Sequence, residues 1–470
     1  MNRRDFCRSS LALGTMWALP AWAAPSRPLL KLGVISDVHI GARKVALERL
    51  EFALRWLKTH DVEAVVCAGD VAHTGNIREL ERFAEIWYTV FPDGKAADGH
   101  KVELMISTGN HDVRPYNGRW KGYSEERLLR ENFNYADNLT RTWDRLFHDK
   151  WELVWRREVK GITFVGSQWG SLKPPIEAFM KSCAGTIPAD RPFFYCQHAH
   201  PKGTCHGDFA AGCFDSGEAT RALSAFPNAV AISGHSHCTL TDEKTVWQGA
   251  FTSIGVGCTH EGSFPFSYEN NSAFWHPSFK QKLMAPLNDA AAWGGDPDGG
   301  SFELIDVYAD HLVVHRRSSV SVSAIGPDWI VPIPARRDGP FDFAIRGKGC
   351  PAPQFASEAK LTVAECPKGH ALESKARRGE ACLALTFPAA AAGPTRALDY
   401  EVTVTAGDKI VLRRLFFARG GVAPVGQENV EQTCLLAMKD LPAERPVSLS
   451  VFPRNCFATA GRPLSAPLAN

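Results

Sequence analysis

The chain has 470 residues and a formal net charge of +2 at pH 7. This length exceeds that of one ordinary domain, so we expect at least two. A charge this close to zero gives no basic field that would attract nucleic acid or an anionic membrane. The composition therefore argues against a nuclease, and we expect no nucleic-acid partner.

The first residues are typical of an export signal. The adjacent arginines Arg3 and Arg4 precede a short apolar stretch at 11–19, and small residues suited to cleavage follow at 21–23. Because this stretch is far shorter than the roughly 20 residues that span a bilayer, we predict a twin-arginine-type signal peptide over residues 1–24. The alternative is an ordinary secretory signal with a chance arginine pair. We expect recognition by the twin-arginine export machinery, no stable membrane insertion, and a periplasmic or secreted location.

From residue 29 onward, apolar strands alternate with helices. The helices are predicted at 45–58 and around 77–90. The predicted strands are 30–35, 64–68, 104–107, 193–196 and 230–232. This alternation implies parallel strands joined by crossover helices, and ligands bind beyond the carboxyl ends of such strands. Later strands at 251–256, 302–308 and 312–315 lack intervening helices, so they should form a second sheet.

Five short motifs stand at the ends of predicted strands, in a fixed order. They are Asp37-Val38-His39, Gly69-Asp70, Gly109-Asn110-His111-Asp112, His198-Ala199-His200-Pro201 and Gly234-His235-Ser236-His237. One such motif alone is weak, but the ordered set supplies enough carboxylate, amide and imidazole ligands for two divalent metals. Because two neighbouring metals can clamp a phosphate and generate hydroxide at neutral pH, the set predicts phosphoester chemistry.

The order and wording of these motifs resemble the calcineurin-like metallophosphoesterase superfamily. The resemblance covers about residues 29–320 and implies an α/β fold over 28–325, a two-sheet αββα sandwich with the helices outside. It also implies the cofactor, two divalent metal ions, for which hard oxygens and imidazoles suit Mn, Fe, Zn or Co. One metal is then bound by Asp37, His39, Asp70 and His237. The other is bound by Asp70, Asn110, His198 and His235, with Asp70 bridging.

The resemblance further implies an exported hydrolase of phosphate mono- or diesters, acting on a small phosphoester substrate through a metal-bridging hydroxide. In this scheme His111 protonates the leaving alkoxide or holds a phosphoryl oxygen, and Asp112 orients a neighbouring imidazole. We prefer His198 to His200 as the ligand because it comes first after its strand. Substrate contacts are expected from His200, His73 and His260, with support of a metal ligand as the alternative role for His200.

His73 departs from one branch of the superfamily. Purple acid phosphatases carry a tyrosine three residues after the bridging aspartate, where this chain has His73. We therefore expect no iron(III)–tyrosinate site and no purple colour. A long segment at 257–300, rich in aromatic residues and glycine, is interpreted as a wall of the substrate pocket, with a peripheral loop as the alternative.

The last part of the chain has a different pattern. A segment rich in proline and arginine at 326–349 is predicted to be a linker, and 350–470 reads as a small all-β sandwich, similar in outline to fibronectin type III modules. Its strands are predicted at 360–364, 381–387, 399–405, 409–417 and 447–452. We see no catalytic cluster there, which keeps open a second hypothesis: a binding or adhesion protein with a vestigial phosphoesterase domain.

The 13 cysteines allow disulfides in an oxidising compartment. The candidate pairs are Cys205 with Cys213, or members of a set formed by Cys350, Cys366, Cys382, Cys434 and Cys456. By contrast, Cys67 and Cys196 lie in apolar strand-like runs and are predicted to be buried thiols.

Overall fold

The protein is described here from a computed structural model. It describes residues 27–113, 120–169, 174–207, 215–261, 299–366, 381–419, 430–443 and 446–468, with short pieces at 423 and 425–427. The predicted signal peptide and most of the aromatic segment at 257–300 lie outside these residues, as does Cys213.

Twelve strands make up the two sheets of the first domain. They are β1 (Leu30–Ile35), β2 (Ala64–Cys67), β3 (Glu103–Ile106), β4 (Val154–Val159), β5 (Ile162–Ser167), β6 (Phe193–Cys196), β7 (Ala229–Ser233), β8 (Val246–Gln248), β9 (Thr252–Gly255), β10 (Ser301–Val307), β11 (His311–Ser318) and β12 (Trp329–Pro332).

Eight α-helices lie within the described residues. They are α1 (Val45–Thr59), α2 (Ile77–Val90), α3 (Asn110–Val113), α4 (Glu125–Glu131), α5 (Asn138–Phe147), α6 (Ile176–Cys183), α7 (Glu218–Leu223) and α8 (Phe343–Gly347). The helices predicted at 45–58 and 77–90 match α1 and α2 within a residue. Of the helices in these residues, none is both long enough and apolar enough to cross a bilayer.

Both sheets have six strands, and each contains a run of neighbouring parallel strands. The first sheet has the order β12-β11-β10-β1-β2-β3, in which β1, β2 and β3 are parallel. The second has the order β4-β5-β6-β7-β9-β8, in which β5, β6, β7 and β9 are parallel. The predicted two-sheet α/β fold is therefore confirmed.

The assignment of the later strands to one second sheet is wrong in part. Only β9 joins the second sheet, whereas β10 pairs antiparallel with β1, with Leu30 opposite Val307. Hydrophobic runs identify strands, but they do not identify which strand a long connection returns to. The return of β10 to β1 brings a late strand of the first domain beside its first strand.

Three apolar layers hold the sheets and helices together. One face of each sheet turns to the other sheet, as for Val34 and Val66, while neighbours such as Ile35 and Val65 face the outer helices. Helices α1 and α2 cover the first sheet, and α6 and α7 cover the second. Because both faces of the central strands are buried, these strands are continuously apolar instead of alternating. The order of layers is αββα.

The residues after 350 form a separate β-structure of seven strands. They are β13 (Thr362–Cys366), β14 (Cys382–Phe387), β15 (Asp399–Ala406), β16 (Lys409–Phe417), β17 (Gln432–Ala437), β18 (Val447–Arg454) and β19 (Leu464–Leu468). A three-stranded antiparallel sheet, β13-β14-β17, and a four-stranded one, β16-β15-β18-β19, enclose a common apolar core. The all-β prediction is confirmed, although β17 and β19 were not predicted.

The segment predicted as a linker is largely part of the first domain. Residues 329–332 form β12, which pairs with β11, so the boundary predicted at 325 lies inside the first sheet. Farther on, Arg346 of α8 binds Glu243: Nη1 lies 2.7 Å from the carboxylate and Nη2 donates to the Glu243 carbonyl at 2.6 Å. Glu243 also accepts the indole N–H of Trp329 at 2.8 Å. These contacts fasten the connection to the first domain.

The two cysteines predicted to be buried thiols are confirmed as such. Both Cys67 and Cys196 are free and buried, and burial raises the pKa of Cys196 to about 12. Of the disulfide candidates, Cys205, Cys350, Cys434 and Cys456 are free thiols. Cys366 lies directly opposite Cys382 on the paired strands β13 and β14.

One buried carboxyl group lies between the sheets. Glu303 is on the same face of β10 as the core residues Ile305 and Val307, and it is fully buried. No described residue donates a hydrogen bond to either carboxylate oxygen. Burial raises the pKa of Glu303 to about 8, an effect that the charge of Arg316 offsets only in part.

The substitution Glu303→Gln should change how the free energy of unfolding depends on pH. Because the folded-state pKa of about 8 lies above the ordinary value of 4.5, the contribution of the neutral carboxyl is fully present below pH 4.5 and is lost as the pH rises through 8. The variant lacks this loss. Its free energy of unfolding relative to wild type should rise, by on the order of a few kcal/mol, from about pH 5 to about pH 9 in urea titrations.

The exposed Glu48 provides a matched control, since Glu48→Gln also replaces a carboxyl by an amide. This control should follow the wild-type pH profile. Parallel profiles for Glu303→Gln and wild type would contradict a buried carboxyl that ionises only above neutral pH.

Candidate metal centre

The predicted ligands lie at the carboxyl ends of parallel strands from both sheets. In the first sheet, Asp37 and His39 follow β1, Asp70 follows β2 and Asn110 follows β3. In the second sheet, His198 follows β6, and His235 and His237 follow β7. Because the two sheets pack face to face, these ends meet at one edge of the sandwich.

One group of ligand atoms comes from Asp37, His39 and His237. Nε2 of His237 lies 3.0 Å from Asp37 Oδ1 and 3.1 Å from Nε2 of His39. Nε2 of His39 lies 3.7 Å from the same carboxylate oxygen. Ligand atoms about 2.1 Å from a shared cation are separated by about these distances, so the group can hold one metal ion.

A second group comes from Asp70, His198 and His235. Nε2 of His198 lies 3.1 Å from each of Asp70 Oδ2, Asn110 Oδ1 and His235 Nδ1. These atoms can hold another metal ion. Asp70 Oδ2 also lies 3.6 Å from Nε2 of His39 in the first group, so this carboxylate stands between the two.

A buried oxygen of Asp37 provides a direct test of whether a cation fits. Oδ2 accepts hydrogen bonds from Ser36 Oγ at 2.6 Å and from the His235 amide at 3.0 Å. Oδ1 is buried and accepts no hydrogen bond from the described residues, although imidazole nitrogens of His237, His39 and His198 surround it. A buried carboxylate oxygen without a donor is costly, and a cation at the centre of these atoms would satisfy it.

The charges within the cluster keep both carboxylates ionised. Burial acts to raise the pKa of Asp70, but the charge and hydrogen bond of His198 outweigh it and hold that pKa well below the ordinary range. Burial acts in the same way on Asp37, where His237 and His198 lower the pKa. Ionised carboxylates are the form that binds a cation.

The backbone at the ligands is strained. Five of the seven predicted ligands have positive φ angles, a conformation that costs a non-glycine residue about 1–3 kcal/mol. They are Asp37 (50°), His39 (49°), Asp70 (52°), His235 (68°) and His237 (54°). Such left-handed residues reverse the chain directly after each strand, which turns the side chains back over the sheet edge.

Glycine is required where these loops touch. A Cβ atom at Gly109 would overlap the carboxylate and amide of Asp70. A Cβ atom at Gly234 would overlap Ser36 Oγ and Asp37 Oδ2. The glycines of the sequence motifs therefore allow the ligand loops to approach one another closely.

The outer nitrogens of three of the four candidate imidazole ligands have different partners. Nδ1 of His198 donates to the Ala68 carbonyl at 2.7 Å. Nδ1 of His237 lies 3.6 Å from Glu261 Oε1, and Nδ1 of His39 lies 3.4 Å from Nδ1 of His73. Such partners fix the orientation of a ligand and the position of its proton.

Glu261 and Trp169 are site residues that the sequence did not indicate. Glu261 follows His260 at the start of the predicted pocket wall, and no motif marks it. The Trp169 ring follows β5 and lies 5.7 Å from the His235 ring and 5.9 Å from the His198 ring. Trp169 comes shortly after the end of β5, and no sequence motif marks it either.

The predicted catalytic residues have different positions. His111 is partly exposed and its ring lies 4.6 Å from that of His39. Its backbone amide donates to Asp70 Oδ1 at 2.8 Å. Asp112 is buried, and its oxygens accept the amides of Ala72 at 2.7 Å and Gly109 at 2.8 Å. Asp112 therefore joins two ligand loops, which corrects its predicted role of orienting an imidazole.

The three histidines proposed for substrate contacts have different surroundings in the structure. His73 is partly exposed beside His111, and the buried His260 ring lies 5.3 Å from that of His39. His200 is buried between two serine hydroxyls: Nδ1 lies 2.6 Å from Ser233 and Nε2 lies 2.8 Å from Ser236. Its imidazole supports the loop of His235 and His237 from inside the protein, which agrees with the alternative role expected for His200 and not with a substrate contact.

Comparison with known proteins agrees with this geometry. Residues 30–239 match the family model of calcineurin-like phosphoesterases. The matched segment holds all seven predicted ligands. A search of curated proteins gave no match.

Several solved structures are similar to the chain. A dimetal phosphatase from Danio rerio is 14% identical, with a TM-score of 0.38 over 65% of this chain and 99% of that one. A purple acid phosphatase from yellow lupin is 14% identical, with a TM-score of 0.40 over 70% of this chain and 57% of the other. GAP50 of Plasmodium is 12% identical, with a TM-score of 0.37 over 65% of this chain and 89% of the other.

The substitution Glu261→Gln should weaken cation binding. Removing the carboxylate charge near Nδ1 of His237 makes that imidazole a poorer ligand, and the loss of such a partner lowers metal affinity by about ten- to a hundredfold. Titration of chelator-treated protein with Mn²⁺ measures the affinity. As a control, Glu51→Gln breaks only an exposed pair with Arg55 and should bind Mn²⁺ like wild type. Equal affinities for all three proteins would contradict the role of Glu261.

Proposed function

We propose that this protein is an exported metal-dependent hydrolase of phosphate esters, with two divalent cations in its active site. The observation that carries the proposal is the position of Asp70, whose carboxylate lies between two separate groups of imidazole and carboxylate ligands. A bridging carboxylate offsets the repulsion between two cations placed side by side. The match of residues 30–239 to calcineurin-like phosphoesterases supports the same conclusion.

Each ligand has a defined place in this proposal. Asp37, His39 and His237 would hold one cation, and Asn110, His198 and His235 the other, with Asp70 shared. When bound, such cations polarise phosphoryl oxygens and lower the pKa of water to near neutral. The donor set of carboxylate, amide and imidazole suits Mn, Fe, Zn or Co.

In this proposal His111 assists the leaving group. Its Nδ1 donates to the His73 carbonyl at 2.8 Å, which fixes the ring and keeps a proton on that nitrogen. In the protonated imidazole, Nε2–H would then donate to the leaving oxygen of an ester bound at the cluster. The backbone amide of His111 also donates a hydrogen bond to Asp70, which fixes the position of His111 relative to the shared carboxylate.

The remaining parts of the proposal extend the sequence analysis. We take the segment at 1–24 to direct twin-arginine export to the periplasm or beyond, and residues after 350 to be a fibronectin-III-like module that serves packing or attachment. The partner is a small phosphoester. An intact ligand set favours an enzyme over an adhesion protein with a vestigial domain.

A substrate panel with elemental analysis tests this proposal. The full chain, loaded with Mn²⁺ or Fe²⁺, should bind about two metal ions and hydrolyse chromogenic phosphate mono- or diesters. Chelation should abolish turnover and added metal should restore it. A protein that carries both metal ions and is inert on every ester of the panel would overturn the proposal.

The substitution His111→Ala should separate catalysis from metal binding. Because His111 is not among the metal ligands, metal content should stay close to wild type while kcat falls by about a hundredfold or more. His100→Ala is the matched control, since His100 precedes β3 at the end of the strand opposite the site. A parallel loss of metal and activity in His111→Ala would contradict the assigned role.

A further inference from the structure

His39 differs from His198 and His237 in the partner of its outer nitrogen. The outer nitrogen of His198 binds a carbonyl, and that of His237 lies near a carboxylate. Nδ1 of His39 instead lies 3.4 Å from Nδ1 of another imidazole, His73. Two imidazole nitrogens in contact can form a hydrogen bond only if one of them carries a proton and the other does not.

The position of the proton follows from the ligand role of His39. Its Nε2 faces the cluster, 3.1 Å from His237 Nε2 and 3.6 Å from Asp70 Oδ2. A cation binds an unprotonated nitrogen, so neutral His39 carries its proton on Nδ1. That N–H donates to Nδ1 of His73. Neutral His73 must then carry its own proton on Nε2, which makes this nitrogen a hydrogen-bond donor.

The loop that carries His73 is rigidly held. Glu79 of α2 accepts hydrogen bonds from the Thr74 amide at 2.8 Å and from the Thr74 hydroxyl at 2.9 Å. Glu79 also completes the capping box with Asn76 at the start of α2. On its other side, the His73 carbonyl accepts Nδ1–H of His111 at 2.8 Å. His73 is therefore fixed relative to both the helix and His111.

His73 and His111 share the partly exposed side of the cluster. Their rings stack with centroids 5.2 Å apart and planes inclined by 26°. One nitrogen from each of His39, His73 and His111 lies within 4.8 Å of the others. The His73 ring therefore lies directly beside the ring of His111.

We infer that Nε2–H of His73 binds a terminal phosphoryl oxygen and that the site thereby selects phosphate monoesters over diesters. The inference rests on the proposed function and names its substrate class. Two cations can each bind one terminal oxygen. A monoester has a third terminal oxygen and a second negative charge, whereas a diester has only two such oxygens. His73 therefore adds a contact that only a monoester can use.

Two substitutions of His73 separate its two nitrogens. In His73→Asn, the amide oxygen takes the place of Nδ1, so the acceptor for His39 is kept and the donor at Nε2 is lost. In His73→Gln, the amide nitrogen takes the place of Nε2, so the donor is kept and the acceptor is lost. The two variants are thus matched controls for one another.

The experiment measures binding, in the full chain, by calorimetry. Chelator-treated protein is titrated with Mn²⁺, and the Mn²⁺-loaded protein is titrated with inorganic phosphate and with dimethyl phosphate. For His73→Asn we expect wild-type Mn²⁺ affinity, phosphate binding weakened by about ten- to a hundredfold, and unchanged binding of dimethyl phosphate. For His73→Gln we expect Mn²⁺ affinity lowered by about tenfold and the wild-type preference for phosphate over dimethyl phosphate.

Several results would overturn the inference. If His73→Asn weakened the binding of phosphate and of dimethyl phosphate equally, His73 would not select a third terminal oxygen. A wild-type protein that binds dimethyl phosphate as tightly as phosphate would lead to the same conclusion. A third Mn²⁺ ion per chain, absent in both variants, would show that His39, His73 and His111 form a cation site instead. These binding measurements need no turnover. If the metal-loaded protein hydrolysed no ester, the proposed function would be overturned, but the binding results would stay the same.

Discussion

The whole arrangement depends on placing two buried carboxylates at one edge of the sandwich. Asp37 and Asp70 are almost completely buried, and a buried charge is costly unless other groups or ions stabilise it. Imidazoles from both sheets surround the two side chains, and hydrogen bonds from Ser36 and from the His235 amide satisfy only one oxygen of Asp37. The left-handed backbone at the ligands adds further strain. Cation binding would offset both the burial of the carboxylate charges and the backbone strain. The fold and the proposed chemistry therefore depend on the same interaction.

The parts around the cluster hold its loops from several directions. Asp112 joins the loops after β2 and β3, and His200 supports the loop after β7 through two serines. The chain after β7 continues to Glu243. This residue binds Arg346, which lies in the segment that was predicted to be a linker. The connection to the C-terminal module therefore reaches the element that carries His235 and His237. Such support keeps ligand positions fixed, which a metal site requires.

The sequence predicted the candidate site more completely than it predicted which strands pair with one another. The seven candidate ligands could be selected from the sequence because each occupies a short motif after an apolar strand, and strand ends in parallel sheets converge. The hydrogen-bond partners of Asp112 and His200 were not predictable, because a motif shows that two residues are neighbours in sequence but not which atoms they bind. Trp169 and Glu261 lie outside any motif. They join the site only because β5 and β9 end beside the ligand strands.

The sequence by itself determined the alternation of strands and helices, the αββα class, the all-β end of the chain and the identity of the ligand-bearing loops. These are local properties, carried by the periodicity of apolar residues and by short motifs. The tertiary structure decided that β10 returns to β1, that β12 belongs to the first sheet, and that His73 contacts His39. Each of these is a contact between segments far apart in the chain, and its formation depends on packing over the whole domain, which no local pattern of residues records.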